Sequence, residues 1–204
     1  MMQLFGEREV QDVEVIAIQE PMINRSTTQM TTHVQTLQGK FHVAIRPTSS
    51  HAEADKPRVC FFINKKLHPK QWTVQHHSRF LSTLTLRGTG LREPVHIHNI
   101  YNPGPPAPSV LGELARAIEG LSGAHLVVGD FNLHHPLWAV EDYEHQHEEA
   151  NELVDLAADH QLELLLPSNT VTYEKNRHQT TIDLVWGTPQ LADRLVKCQA
   201  RQDW

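Results

Sequence analysis

Asp130 and Asn132 stand two residues apart, directly after a short apolar run at 124–128 that Gly129 closes. A run of that length ended by a breaker predicts a buried strand. Both polar side chains then lie where the strand gives way to a loop, the end at which open α/β sheets place their ligand sites. In an extended segment, positions two apart point to the same side. Asp130 offers a carboxylate that can take a proton or hold a cation, and Asn132 an amide with donors and an acceptor. Together they suit attack by water on a phosphate. Gly, Asp and Asn are also turn residues, so a plain turn is the competing explanation.

Three more polar side chains fall at predicted strand ends. Glu20 follows the alternating, then wholly apolar segment 13–18, and Pro21 stops any ladder there. A carboxylate in that place is what a hard cation such as Mg²⁺ prefers. Tyr101 ends the segment 95–101, before a stretch rich in proline and glycine. Asp183 sits in the apolar segment 181–186, where a carboxylate needs a partner. His134 and His135 follow Asn132 closely, and adjacent residues of a loop point apart, so at most one of them lines a cleft; the competing reading is that both support the loop and pack with Trp138. Lys175 and Arg177 lie in the polar connection 174–180, expected to be a loop between two strands.

Strands are expected at 13–18, 41–45, 59–63, 80–86, 95–101, 124–128, 162–166, 171–173, 181–186 and 194–198. A first helix follows Ser109 as N-cap, with Val110, Leu111, Leu114, Ala115, Ile118 and Leu121 as its apolar stripe and glycines at its end. A second helix is expected over 141–160, with an acidic first turn and Ala150, Leu153, Val154 and Ala157 turned inward. Residues 24–38 form a polar, threonine-rich loop over the active face. Several strands in succession before the first helix predict antiparallel hairpins within one sheet.

With 204 residues, the chain is expected to form one domain spanning 1–204, large enough for a real core. Hydrophobic residues at 39% and charged residues at 21% place it among ordinary proteins of aqueous compartments. Cys60 and Cys198 make neither a disulfide framework nor a zinc spacing, which points to a reducing, intracellular setting. No run approaches the length of a membrane span. A formal net charge of −6 argues against a general nucleic-acid binder, though a local basic rim and a metal suffice for a nuclease. Most of the 15 histidines, lacking ligand spacing, are expected at the surface.

The segment from Gly129 to Trp138 resembles the core motif of the endonuclease/exonuclease/phosphatase superfamily. Its His-His-Pro-Leu-Trp extension is similar to the branch found in non-LTR (LINE-type) retrotransposons. Three further segments match in the same order: Ile18-Gln19-Glu20-Pro21, Ile100-Tyr101-Asn102-Pro103 and Thr181-Ile182-Asp183-Leu184-Val185. Each is weak alone, but four in order are strong. The resemblance implies a four-layer α/β sandwich of the DNase I type and a metal-dependent endonuclease that nicks DNA for target-primed reverse transcription. It implies Mg²⁺ or Mn²⁺ as cofactor, DNA as partner, a reverse transcriptase domain in the parent element, no membrane and a nuclear place of action.

In that resemblance Glu20 is the metal ligand, Tyr101 contacts the scissile phosphate, and Asp130 with Asn132 handles water. Asp183 orients a histidine of a Ser-Asp-His motif, and the hairpin with Lys175 and Arg177 probes DNA near the cut. No Ser-Asp-His follows Asp183, and no asparagine-bearing strand precedes Glu20. The chain therefore looks clipped at both ends, its fold incomplete and its nicking expected to be very poor. Gly104 stands where many relatives carry a further asparagine. A catalytically inactive remnant is the alternative, and a phosphoesterase on small substrates a third.

Overall fold

The computed structural model describes residues 12–22, 39–48, 52, 55–88, 90, 92–104, 106–140, 147–175 and 178–200. Two sheets carry the architecture. The smaller has β1 (Val15–Gln19), β2 (Phe41–Ile45) and β3 (Val59–Asn64) in the order β1-β3-β2, all antiparallel. The larger combines β4 (Trp72–His76), β5 (Leu81–Leu86), β6 (Val95–Tyr101), β7 (Ala124–Asp130), β8 (Glu163–Leu164) and β11 (Asp183–Gly187) in the order β4-β5-β6-β7-β11-β8. Within it β6 and β7 are parallel, joined through helix α1 (Leu111–Glu119). A hairpin of β9 (Tyr173–Lys175) and β10 (His178–Thr180) stands apart from both sheets. Helix α2 (Glu148–Asp159) precedes β8, and a single turn, α3 (Pro189–Ala192), follows β11.

Period-2 alternation divides the central strands between two cores. Leu81, Ile100, Val127, Leu184 and Trp186 face α1 and α2, packing with Leu114, Ile118 and Leu153. Leu84, Val95, Ile97 and Ala124 face the smaller sheet, meeting Phe61, Ile63, Val15 and Ala17. Phe41, Cys60 and Phe62 lie on the smaller sheet's other face with Ile16 and Ile18. Asn99 fastens the two sheets. Its amide donates to the Ile18 and Cys60 carbonyls at 3.2 and 2.9 Å, and its oxygen accepts from Gln19 Nε2 at 2.6 Å.

Several expectations from sequence are corrected. The early strands do not share one sheet, because β3 pairs with β1 and β2 while β4 and β5 join β6. Strand β4 is an addition to the expected set. Val110 rather than Ser109 is the N-cap of α1, although the Ser109 hydroxyl still accepts from the Leu111 N–H at 3.2 Å. Helix α2 begins at Glu148, after an extended His147. Its first turn carries Glu148 and Glu149, whereas the acidic turn expected from 141 lies outside the described residues, and its buried residues are Ala150, Leu153, Leu156 and Ala157. Residues 194–198 form no strand. The expected loop at 24–38 lies outside the described residues.

Three histidines depart from the expected surface placement. His96, His98 and His125 are buried, at 2%, 0% and 5% exposure. They take the positions of β6 and β7 turned toward the helices, and each ring is satisfied from a neighbouring strand or loop. Thr83 Oγ1 lies 2.9 Å from His98 Nδ1, whose Nε2 lies 3.0 Å from His125 Nδ1. Thr85 Oγ1 lies 2.9 Å from His96 Nδ1, and His77 Nε2 extends the chain to Thr83 Oγ1 at 2.8 Å. The rings of His96 and His98 both stack on His125, at 5.1 and 5.3 Å.

Candidate active site

The same alternation positions the site. Ile97 and Val128 line the space between the sheets, and so do Val185 and Asp183 of β11. Two residues beyond Asn99 comes Tyr101, and two beyond Val128 comes Asp130, so their side chains share that side. The register then brings three strand ends level, with Tyr101 opposite Asp130 and Asp183 opposite Asp130. Gly129 makes this possible. Its φ is +152°, and a Cβ there would sit 1.9 Å from the Ile100 carbonyl oxygen, so only glycine fits beside β6.

Two residues leave the extended path and aim the remaining groups. Asn132 has φ +50°, so it does not simply repeat the direction of Asp130 as an extended segment would. Its N–H turns back to donate to Asp130 Oδ1 at 3.0 Å, an Asx-type turn, while its Nδ2 donates to the Asn102 carbonyl at 2.8 Å. Gly104, with φ +71°, packs so closely that a Cβ there would be 3.0 Å from that of Asn132. A side chain at 104 would press on the residue that orients Asp130. Glu20 has φ +49°, which turns it off the line of β1. Its Oε1 accepts from Arg58 Nη1 at 2.7 Å, and its carboxylate also accepts from the Tyr101 hydroxyl. Left-handed residues other than glycine are uncommon and gather at functional sites.

The electrostatics follow from this crowding. Burial pushes the Asp130 carboxyl up to about 7, and the nearby Asp183 and Glu20 add to the rise against the hydrogen bonds from Asn132. Burial also raises Asp183, against the Thr172 hydroxyl bonded to its side chain. The Thr172 hydroxyl oxygen accepts from the Asp183 N–H at 3.0 Å as well. Tyr101 is raised by burial first and then by Glu20 and Asp130. Three carboxylates thus share one partly dry rim, and a cation would relieve their repulsion. Among the described residues no three His, Cys, Asp or Glu side chains converge as a metal-binding group. A hard ion that keeps most of its waters needs only one or two protein carboxylates, and Glu20 can supply one.

The remaining sequence-predicted residues lie elsewhere. His134 packs its ring against His147 at 4.9 Å, and its carbonyl accepts from the His147 N–H at 3.1 Å. His135 Nδ1 accepts from the Leu137 N–H at 3.1 Å, and its ring lies 5.1 Å from that of Trp138. Lys175 is not in a loop but in strand β9, paired with His178, and it is exposed. Arg177 lies outside the described residues. A cleft of about 870 Å³ opens between β1 and the β7–β11 face beneath the site. It reaches Asp183 but not Glu20, Tyr101 or Asp130, and much of its lining is apolar, so it is inter-sheet space rather than the seat of the chemistry.

Sequence reasoning missed Arg58 and Asn102. Asn102 is fully buried and ties the site loops together, donating to the Phe131 carbonyl at 3.0 Å and to Glu149 Oε1 at 2.9 Å and accepting from the Val110 N–H at 3.2 Å. Its place beside Tyr101 was the available signal. Arg58 had none, because its neighbours in sequence read as a polar connection.

Comparison with solved structures supports the fold. The endonuclease domain of TRAS1, a telomere-specific non-LTR retrotransposon, superposes with a TM-score of 0.65 at 13% identity, over 94% of this chain and 80% of that one. An AP endonuclease from Leishmania major gives 0.56 at 11% identity, over 91% and 72%. An endonuclease/exonuclease/phosphatase family protein from Leptotrichia buccalis gives 0.53 at 11%, over 87% and 76%. Comparison with curated proteins finds no match. Residues 95–204, more than half of the sequence, match the family described as endonuclease-reverse transcriptase. They carry Tyr101, Asp130, Asn132 and Asp183, three of the four motifs on which the resemblance was drawn. With the DNase I-like α/β fold and these motifs in place, the chain belongs to the endonuclease-reverse transcriptase family of the endonuclease/exonuclease/phosphatase superfamily.

Proposed function

We propose that this chain is a divalent-metal-dependent endonuclease domain of a non-LTR retrotransposon, nicking DNA in the company of a reverse transcriptase. The observation that carries the proposal is the level register of Tyr101, Asp130 and Asp183 with Glu20 across the rim. Phosphodiesters resist hydrolysis because their anionic oxygens repel the nucleophile, so a site must hold water, supply donors and neutralise charge. Asp130, raised to about 7, is poised to take a proton from water near neutral pH, and the Asn132 N–H fixes one of its oxygens. The Tyr101 hydroxyl is a donor to a phosphate oxygen once it leaves Glu20. Glu20 would hold Mg²⁺ or Mn²⁺, which when bound supplies Lewis-acid polarisation and charge neutralisation. Asp183, beside Asp130 across the register, adds to the rise of the Asp130 carboxyl.

Lys175, with Arg177, is proposed to meet the DNA backbone from the β9–β10 hairpin. His134, held by His147 in the loop after Asn132, is proposed as a further DNA contact. The whole chain is proposed to act as one domain, in the nucleus. No helix among the described residues is long and apolar enough to cross a membrane.

The test compares substrates. With Mg²⁺ present, the protein should convert supercoiled plasmid to the nicked form and leave p-nitrophenyl phosphate intact. Turnover of the monoester without nicking would favour a small-substrate phosphoesterase instead.

A further inference from the structure

Glu20 already has a cation. Arg58 Nη1 lies 2.7 Å from its Oε1. Exposed ion pairs between two long side chains are usually loose. This one is anchored through the backbone at both ends. The Glu20 N–H donates to the Arg58 carbonyl at 2.8 Å, and the Arg58 N–H donates to the Arg79 carbonyl at 2.6 Å. Aromatic contacts hold the guanidinium as well. It lies 6.0 Å from the Tyr101 ring centre, Tyr101 stacks on Phe80 at 6.3 Å, and the Arg79 guanidinium lies 4.8 Å from the Phe80 ring. Arg58 is therefore built into the site from which Glu20 and Tyr101 project.

We propose that Arg58 is a positioning residue that competes with the divalent ion for Glu20, and so sets how much metal the site requires. The proposal rests on Glu20 being a metal ligand. A guanidinium stays protonated at every working pH, so the competition cannot be titrated away. While Arg58 is seated it holds one carboxylate oxygen and repels an incoming cation. It also keeps Glu20 in its left-handed turn, ready for the exchange. Arg58 thereby substitutes for the metal when none is bound, which keeps the carboxylate rim from repelling itself.

The experiment titrates Mn²⁺ into the 204-residue protein and follows free Mn²⁺ by electron paramagnetic resonance, with thermal melting as a check on folding. Arg58→Gln should bind Mn²⁺ more tightly, by about tenfold for loss of one nearby positive charge. Arg58→Lys, which keeps the charge, should bind as the parent does. Should Arg58→Gln not fold, Arg58→Met carries the same expectation and keeps the packing on Tyr101. A merely structural arginine could only loosen the site when removed, so the direction of change is decisive. Unchanged or weaker binding by Arg58→Gln, with binding lost in Glu20→Gln, would overturn the competition and leave the metal site standing. Binding that survives Glu20→Gln unchanged would overturn both.

Discussion

At the scale of single residues, the site depends on backbone conformations that composition does not reveal. Asp130 and Asn132 stand out in the sequence because a Gly-Asp-x-Asn step follows an apolar run. Their geometry does not, because Asn132 adopts a left-handed φ and binds back to Asp130. The raised Asp130 carboxyl has a consequence for stability with a definite sign. The fold favours its protonated form, so its contribution is fully present below the unfolded value near 4 and is lost as pH rises through about 7. Asp183 is raised in the same direction. Asp130→Asn should therefore melt at a higher temperature than the parent at pH 8.5, and the gap should close toward pH 4. Thermal melts across that range check it, and a gap that stays constant with pH would show that the shift is absent.

At the scale of elements, the central strands are legible from alternation and their pairing is not. Burial on both faces of β6 explains why the histidines were misplaced: a polar residue in such a strand is buried whatever its type. The partners that make the burial possible come from the pairing, which sets Thr83 and Thr85 on β5 opposite His98 and His96. The cluster yields a pH dependence opposite to that of Asp130. Burial holds His98 well below the usual histidine range, helped by His125, His96 and His77, and lowers His125 to about 4, with His96 and His160 adding to that and a Leu121 carbonyl opposing it. Burial likewise lowers His77, against the pull of Glu113. Such groups contribute stability above about 6.5 that is lost as pH falls toward 4. His98→Leu should cost about 1–3 kcal/mol at pH 7.5 through the hydrogen-bond partners it leaves unsatisfied. It should also lose less stability than the parent between pH 7 and 5. Urea titrations at both pH values decide this, and parallel losses would remove the histidine chain as the cause.

The β9–β10 hairpin belongs to the same scale. The polar composition of 174–180 reads as a loop, whereas Lys175 is itself a strand residue, paired with His178 and with its side chain in solvent. If it meets DNA there, Lys175→Ala with Arg177→Ala should weaken duplex binding and reduce the slope of log K against log salt by up to about 2, one for each phosphate no longer neutralised. Fluorescence anisotropy at several salt concentrations measures that slope, and an unchanged slope would leave an ordinary charged hairpin.

At the scale of the whole molecule, the sequence carries the motifs and their order, and the fold explains why order suffices. Glu20 and Asp183, far apart in the chain, come to one rim because each lies at a strand end and the sheets face each other. Which strand enters which sheet depends on long-range pairing, and so does the arrival of Arg58 beside Glu20. Neither leaves a local pattern to read. Among the described residues, the group against Asp183 is Thr172, whose hydroxyl oxygen accepts from the Asp183 N–H at 3.0 Å.

The central claim is that this rim hydrolyses phosphodiesters through Asp130, and plasmid nicking by the parent and by Asp130→Ala tests it most directly. Both proteins are incubated at high concentration with supercoiled DNA, with Mg²⁺ and with EDTA. The expected result is nicking by the parent that requires Mg²⁺ and vanishes in Asp130→Ala. Nicking at the same rate by both proteins, or none by the parent even with Mn²⁺ in place of Mg²⁺, would contradict it.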